Sequence, residues 1–287
     1  MSPESFPAFG SFQPGPLSAA KRAPEIPGFA ALRRYVFYDA GQRLCRRRDG
    51  DPLLTPEEAG QLGFTPTGQE LFLGLWGPHP VFALETDREL PGGFEWASLR
   101  SYFDHFAPGL PEVLARGRHL LSWLPRARFC GGCGGPLERD TEEMALFCPR
   151  CSLKFYPQIT PAAITLVTRN DRILLARNRS FARNMYSLIA GFVEPGETPE
   201  QTVSREIREE AGVEVQDIRF YKGQPWPFPA SLMLGFSARW KSGTPRPDGQ
   251  EILDVRWFRR EELPEIPGRG SISRELIDLY LEDRLDT

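Results

Sequence analysis

Three glutamates with helical spacing are the strongest sign of chemistry in the sequence. Glu206, Glu209 and Glu210 follow one another at i, i+3 and i+4, which places their carboxylates on one face of a helix. Like charges at this spacing destabilise a helix unless a cation compensates them. Carboxylate oxygens are hard ligands that suit Mg²⁺ or Mn²⁺. The pattern therefore favours a divalent metal site, and the alternative is a solvated acidic face with pairs such as Arg205–Glu209.

Signals at both ends define this helix. Thr198 is a good N-cap residue, and Gln201, three residues later, can complete a capping box. Pro199 suits the first helical turn, and Gly212 suits the C-terminal stop. The sequence therefore predicts a helix from about Pro199 to Ala211.

Four of the five cysteines form a second candidate site. The two CxxC pairs, Cys130–Cys133 and Cys148–Cys151, are separated by fourteen residues, and this pattern is typical of a tetrahedral zinc site. Four protein ligands leave no open coordination position, so the zinc would be structural. Disulfides or free thiols are the alternative. The fifth cysteine, Cys45, is predicted to be a plain thiol of the surface or core.

The elements that position these residues belong to a chain of ordinary composition. Its 287 residues are 40% hydrophobic and 25% charged, which suggests about two domains. Strands that enclose one charged helix suggest an α/β sandwich. We predict a Pro-rich mobile tail (1–28), a small mixed α+β domain (29–125), a cysteine segment (126–157) and the sandwich (158–287). Predicted strands are 34–38, 71–76, 81–85, 163–167, 172–176, 214–221, 231–240 and 252–258, and predicted helices are 111–124, 199–211 and 272–284.

Composition also excludes several classes of partner. A net charge of −3 provides no large basic field for duplex DNA. No apolar run of about 18 residues is present, so no membrane span is expected. The N-terminus lacks a basic start followed by an apolar segment, and the expected compartment is the cytoplasm.

The carboxylate helix lies within a longer motif that is similar to a known family. The segment GFVEPGETPEQTVSREIREEAGV (191–213) matches the Nudix box, G-x5-E-x7-R-E-U-x-E-E-x-G-U, at every specified position. The resemblance to Nudix hydrolases implies an α/β/α sandwich and hydrolysis of a nucleoside diphosphate linked to another group. It also implies that Glu206, Glu209 and Glu210 hold divalent metals together with the carbonyl of Ala190, and that Glu197 and Arg205 form a supporting ion pair.

A proline-rich stretch follows the box. Prolines at 225, 227 and 229 predict an extended, stiff chain, from which Trp226 and Phe228 would project. Preorganised aromatic side chains suit a flat heterocycle; a loop packed on the core is the alternative. Together with the cysteine segment and the less regular N-terminal domain, the stretch resembles the NADH pyrophosphatases over about residues 30–285. Gly223 departs from that group, which usually has Ser there.

This second resemblance implies further site residues. Glu251 resembles an additional metal-binding glutamate outside the box. A structural role is an equal alternative for Arg100 and Ser273. The implied substrate-binding residues are Gln224, Pro225, Trp226, Pro227, Phe228, Pro229, Ala230, Ser231, Tyr156, Glu143, Arg100 and Ser273.

The predicted activity is metal-dependent hydrolysis of the pyrophosphate of NAD(H) to nicotinamide mononucleotide and AMP, and the same cut would remove NAD caps from RNA. Glu206, Glu210 and Glu251 are the predicted primary ligands of Mg²⁺ or Mn²⁺, and Glu209 is either a ligand or the general base. The resemblance implies a homodimer, with one structural Zn²⁺ per subunit. An RNA exit could be lined by arginines 46–48 or by those at 116, 118, 126 and 128, with solvated charge as the alternative. The competing functions are hydrolysis of ADP-ribose or another dinucleotide, and a non-catalytic zinc-ribbon protein that binds nucleotides or RNA.

Overall fold

The structure is a computed structural model that describes residues 13–14, 29–41, 43–67, 70–105, 109–140, 142–181 and 184–284. The chain divides into two compact units, Met1–Gln158 and Ile159–Thr287. Among the helices of the described residues, none has the length and apolar character needed to cross a membrane.

The first unit contains a six-stranded sheet and a small ribbon. The sheet has the strand order β1-β4-β5-β2-β3-β6, and its core includes Tyr35, Phe37 and Cys45. Of the predicted N-terminal tail, only Gln13–Pro14 lies among the described residues, and it pairs with Leu75 and Gly74 at one sheet edge. The elements are β1 (Gln13–Pro14), α1 (Phe29–Leu32), β2 (Arg34–Tyr38), β3 (Arg43–Arg47), α2 (Pro56–Gln61), β4 (Leu71–Trp76), β5 (His79–Glu85), β6 (Phe94–Ser98), α3 (Arg100–His105) and α4 (Leu110–Trp123).

The ribbon is a three-stranded sheet in the order β7-β8-β9. Its strands are two residues long, so the ribbon has little core of its own, and cysteines lie at its turns. The strands are β7 (Glu138–Arg139), β8 (Leu146–Phe147) and β9 (Lys154–Phe155).

The second unit is built on a six-stranded sheet, in which five strands follow the order β13-β14-β10-β11-β15 and the sixth, β12, pairs with β10. Strands β10 and β14 are parallel, and the other pairs are antiparallel. The elements are β10 (Thr160–Arg169), β11 (Arg172–Asn178), β12 (Ile189–Phe192), α5 (Pro199–Ala211), β13 (Val213–Trp226), β14 (Ser231–Gly243), β15 (Ile252–Arg259), a 3₁₀ turn (Arg260–Glu262) and α6 (Ile272–Leu281).

Side-chain alternation along the central strand gives this sheet two apolar faces. Ala163 and Val167 pack in the core that contains Val203 and Ile207 of α5. Ile164 and Leu166 belong to the core formed with α6. Because successive strand residues point to opposite faces, one helix covers each side. The predicted α/β/α sandwich is confirmed.

The predicted ends of helix α5 are also confirmed. The Thr198 side chain accepts a hydrogen bond from the Gln201 backbone N–H, and the Gln201 side chain accepts one from the Thr198 N–H, which is a complete capping box. Gly212 ends the helix with φ 69°, in the left-handed region that glycine adopts without strain.

Two expectations about the second unit need correction. Strand β13 extends to Trp226 instead of ending near residue 221, because it pairs with β14 along its whole length. Residues 227–230 then form a turn. The proline-rich stretch is therefore extended only as far as Trp226, since the chain must reverse direction to enter β14 at Ser231.

Candidate active site

Helix α5 presents the three glutamates in different environments. The Glu210 residue is only 8% exposed, whereas the Glu209 side chain is 54% exposed. Burial, followed by repulsion from neighbouring carboxylates, raises the pKa of Glu210 to about 8. Burial also raises the pKa of Glu206, against the opposing effect of Arg205. A buried carboxylate surrounded by like charges is stabilised in its ionised form by a cation.

Arg205 organises the exposed side of this cluster. Its Nε and Nη2 donate to the two oxygens of Glu197 at 2.7 and 2.9 Å, a bidentate pair. Its Nη1 donates to Glu206 at 2.7 Å and to Glu209 at 3.3 Å, and Nη2 also donates to the carbonyl of Phe192 at 2.9 Å. Hydrogen bonding from Arg205 lowers the pKa of Glu197 to about 2. The arginine thus ties the start of the box to the helix.

Gly191 allows one glutamate to lie against the backbone. A Cβ atom placed on Gly191 would be 1.8 Å from Cδ and 1.9 Å from Oε1 of Glu206, so only glycine leaves room for this carboxylate. The preceding residue, Ala190, pairs with Ile164 of β10. The Glu206 carboxylate therefore lies beside the strand that carries the Ala190 carbonyl.

Glu251 reaches the cluster from the loop before β15. Asn178 Nδ2 donates to Glu251 Oε1 at 2.8 Å, and Asp248 Oδ1 accepts from the Glu251 backbone N–H at 3.1 Å. The charges of Glu251 and Asp248 both contribute to the raised pKa of Glu210. Asp248 and Asn178 are site residues that sequence reasoning missed. An aspartate three residues before Glu251 indicates a turn in the sequence. Only the fold shows that its charge acts on Glu210.

The donor set fits a hard divalent cation. Three carboxylates from two separate elements, Glu206, Glu210 and Glu251, interact electrostatically, and oxygen donors of this kind suit Mg²⁺ or Mn²⁺. Among the described residues, only the four cysteines have potential metal-ligand atoms all within 4.8 Å of one another. Arg205 pairs with Glu206 at 2.7 Å and with Glu209 at 3.3 Å, so these two carboxylates are directed at its guanidinium.

The segment 226–230, which we call the aromatic loop, connects the end of β13 to the start of β14. The rings of Trp226 and Phe228 meet edge to face with centroids 5.1 Å apart, so each ring restricts the other. Gln224 uses both ends of its amide within the protein: Nε2 donates to the Gly270 carbonyl, and Oε1 accepts from the Ile272 N–H, each at 2.8 Å. In this arrangement Gln224 fixes the loop to the start of α6.

Four other predicted substrate-binding residues differ in exposure: Ser273 is buried, whereas Arg100, Glu143 and Tyr156 lie at the surface. Ser273 is 4% exposed, and its Oγ lies 2.8 Å from the Oγ of Ser187, an arrangement that favours the structural alternative. In the first unit, Glu143 accepts from Tyr156 Oη at 2.6 Å and from Lys154 Nζ at 2.7 Å. These two bonds lower the pKa of Glu143, with Lys154 the larger cause. Arg100 begins α3 in the same unit and is exposed.

The four cysteine thiols are arranged for one metal ion. Cys151 Sγ lies 3.3 Å from Cys130, 3.3 Å from Cys148 and 3.7 Å from Cys133. A disulfide would require about 2.0 Å, and a zinc tetrahedron with bonds of about 2.3 Å has edges near 3.8 Å. The predicted structural zinc site is supported, and the disulfide alternative does not fit.

Of the arginines predicted to line an RNA exit, four are buried or half-buried, namely Arg46, Arg47, Arg116 and Arg118, whereas Arg48, Arg126 and Arg128 are exposed. Arg118 is 7% exposed, and burial lowers the pKa of Arg116 to about 10. Arg46 pairs with Glu95 at 2.6 Å, and Arg47 pairs with Asp51 at 2.7 Å. The burial of Arg118 arises because α4 turns that side of the helix toward the first unit's core.

Comparison with known proteins matches three segments of the chain to family models. Their descriptions are NADH pyrophosphatase-like rudimentary NUDIX domain (residues 32–123), NADH pyrophosphatase zinc ribbon domain (126–156) and NUDIX domain (158–280).

Two relatives that match over most of their length have the same name. An NAD-capped RNA hydrolase NudC of Stutzerimonas stutzeri is 42% identical over 84% of this chain and 89% of that protein. Another NAD-capped RNA hydrolase NudC, from Pseudomonas aeruginosa, is 42% identical over 90% of this chain and 92% of its own length. Among solved structures, a NUDIX hydrolase from Nitrosomonas europaea is 28% identical, with a TM-score of 0.47 over 55% of this chain and 92% of that one.

Proposed function

Because the chain belongs to the Nudix hydrolase family, in the group that carries an NADH pyrophosphatase zinc ribbon, we propose that it hydrolyses the pyrophosphate bond of NAD(H). The products are nicotinamide mononucleotide and AMP. The same cut removes an NAD cap from the 5′ end of an RNA, which is the substrate in the name of its relatives.

The observation that carries this proposal is the environment of Glu210. Glu210 is 8% exposed among neighbouring carboxylates, and its pKa is raised to about 8, so a bound cation is what would stabilise its ionised form at neutral pH. A protein that only binds nucleotides has no need of such a cluster. Divalent ions supply charge neutralisation at the phosphates and an activated water when they are bound.

Each side chain of the box has a distinct proposed role. Glu206, Glu210 and Glu251 bind the catalytic ions together with the Ala190 carbonyl. Arg205 and Glu197 are positioning residues, since their bidentate pair fixes the direction of Glu206. Glu209 is the most exposed of the three box glutamates, and its proposed role is either a further metal ligand or the base that accepts the proton of the attacking water.

Within the second unit, the aromatic loop is proposed to hold the base of the substrate. The restricted rings of Trp226 and Phe228 provide a preorganised surface for a flat base. They lie where β13 ends and the turn at 227–230 leads into β14. Tyr156, Glu143 and Arg100 are proposed as further substrate contacts.

The decisive experiment is a substrate panel with a matched variant. Pure protein is incubated with NADH, NAD, ADP-ribose and an NAD-capped RNA, in Mn²⁺ or in EDTA, and the products are identified by mass. We expect metal-dependent release of nicotinamide mononucleotide. Glu210→Gln should lower its rate about a hundredfold or more, whereas Glu200→Gln, which changes an exposed glutamate at the start of the same helix, should leave the rate unchanged.

Two results would contradict the proposal. Turnover of ADP-ribose alone would keep the metal site but replace the substrate. Binding without turnover of any substrate, by folded protein that contains zinc, would favour the non-catalytic alternative.

The finer features of the proposal are Mg²⁺ or Mn²⁺ as the catalytic ion, a homodimer, and a cytoplasmic location. The hard carboxylate ligands support Mg²⁺ or Mn²⁺. The reduced thiols that a zinc ribbon needs support a cytoplasmic location. Light scattering of the purified chain tests the homodimer.

A further inference from the structure

A cavity of about 510 Å³ lies in the second unit, lined by residues that no step of the proposed reaction uses. It is found where β10 and β14 end, next to the last residues of α6. Its lining residues are Thr168, Arg169, Asn170, Gln216, Arg239, Trp240, Arg260, Tyr280 and Asp283.

The cavity is basic in a chain that is acidic overall. Three arginines and one aspartate line it, whereas the net charge of the whole chain is −3. Arg239 pairs with Asp217 at 2.6 Å, and Arg260 with Asp283 at 2.8 Å. Asp283 is 77% exposed and Asp217 is 41% exposed. Exposed pairs of this kind contribute little, so either arginine can exchange its carboxylate for another anion.

Arg169 has no acidic partner within the described part of the chain. Its guanidinium instead stacks on the Trp240 ring, 3.9 Å from the centroid, with Trp257 at 5.8 Å. Stacking fixes the plane of the guanidinium and leaves its N–H groups available for a planar or tetrahedral anion. Arg260 is held in a similar way over Tyr280 at 4.8 Å.

The cavity is at the opposite end of the sheet from the aromatic loop. In the β10–β14 ladder, Thr160 pairs with Ser231 beside that loop, and Thr168 pairs with Arg239 at the cavity. Eight residues of strand at about 3.3 Å each separate the two ends by roughly 26 Å. One mononucleotide bound at the aromatic loop cannot fill both places.

We propose that this cavity is a second anion site that binds the phosphate of a nucleotide. Arginine forks match phosphate oxygens in a bidentate manner, and guanidinium planes stacked on aromatic rings also accept a nucleobase. Such a phosphate can come from two sources, either the nucleotides that follow the cap in a capped RNA or a free nucleotide. The RNA source rests on the proposed function, whereas phosphate binding by the cavity does not.

The test compares the full-length protein with the double variant Arg169→Gln/Arg239→Gln. Arg246→Gln/Arg256→Gln is the matched control, since it removes the same charge from two exposed arginines outside the cavity. Binding of a 5′-monophosphorylated single-stranded RNA and of 5′-AMP is measured by anisotropy and calorimetry. Hydrolysis of NADH and of NAD-capped RNA is measured in parallel, and thermal unfolding verifies the fold.

If RNA is the ligand, the cavity variant should bind RNA about tenfold more weakly, and its salt slope should fall by about one. The KM for capped RNA should rise while hydrolysis of free NADH stays unchanged. If a free nucleotide is the ligand, 5′-AMP should lose one of two binding sites per chain in the cavity variant, and RNA binding should match the control.

Equal binding of both probes by the cavity variant and the control would overturn the proposal. The direct binding measurements do not depend on catalysis. A wild-type protein that fails to hydrolyse NADH would therefore refute the proposed function without deciding the anion site.

Discussion

Replacing Gly191 with alanine should disable the metal site while leaving the fold in place. The new Cβ would lie 1.8 Å from Cδ of Glu206. Normal contact requires about 3.5 Å between carbons, so the carboxylate must withdraw by more than about 1.5 Å. Metal–ligand distances tolerate only about 0.2 Å. Because the obstructing atoms end a flexible side chain, the backbone need not move.

The size of the effect follows from this displacement. A misplacement of about 1 Å at a reacting centre can cost about a hundredfold in rate, which corresponds to about 2.7 kcal/mol in the activation barrier. We therefore expect kcat for Mn²⁺-dependent NADH hydrolysis to fall by about two orders of magnitude. The thermal midpoint should change by only a few degrees, as for about 1 kcal/mol of local overpacking.

The matched control is Gly60→Ala. A Cβ there meets nothing within 4 Å, and Gly60 lies in a helix. This variant should retain wild-type kcat and an equal or higher midpoint. If Gly191→Ala also keeps wild-type kcat and the same Mn²⁺ dependence, then Glu206 does not need its present position, and the reasoning is refuted.

Three further perturbations test other parts of the molecule. Glu210→Gln should lower kcat about a hundredfold or more; near-normal kcat with unchanged metal dependence would rule out its role. Trp226→Ala should raise KM for NADH about tenfold through lost stacking and alter the preference between NADH and ADP-ribose, and an unchanged preference would argue against the aromatic surface. Cys45 is 0% exposed and burial raises its pKa to about 12, so about one thiol in ten thousand is ionised at pH 8. Iodoacetamide should spare it in the native protein at that pH and modify it after unfolding, with mass spectrometry as the readout; rapid native labelling would show that the thiol is accessible.

Local signals were enough to predict helix α5 and the zinc ribbon. Thr198, Gln201 and Gly212 determine the ends of α5 through bonds within a few residues of chain, so the structure reproduces them. The two CxxC pairs bring ligands together by short turns, for the same reason. Sequence patterns could not predict where β13 ends, because that depends on its pairing with β14.

By itself, the sequence determined which residues can do chemistry: three glutamates on one helical face, four cysteines in two turns and a rigid aromatic segment. Only the tertiary structure decided their environments. Packing buries Glu210 and raises its pKa, and it places Glu206 against Gly191, fifteen residues earlier in the chain. The loop before β15 brings Glu251 to the same cluster. Two strands and a 3₁₀ turn gather the arginines of the basic cavity, which no local motif unites. Burial and charge proximity depend on contacts between distant segments, and a local pattern contains no information about them.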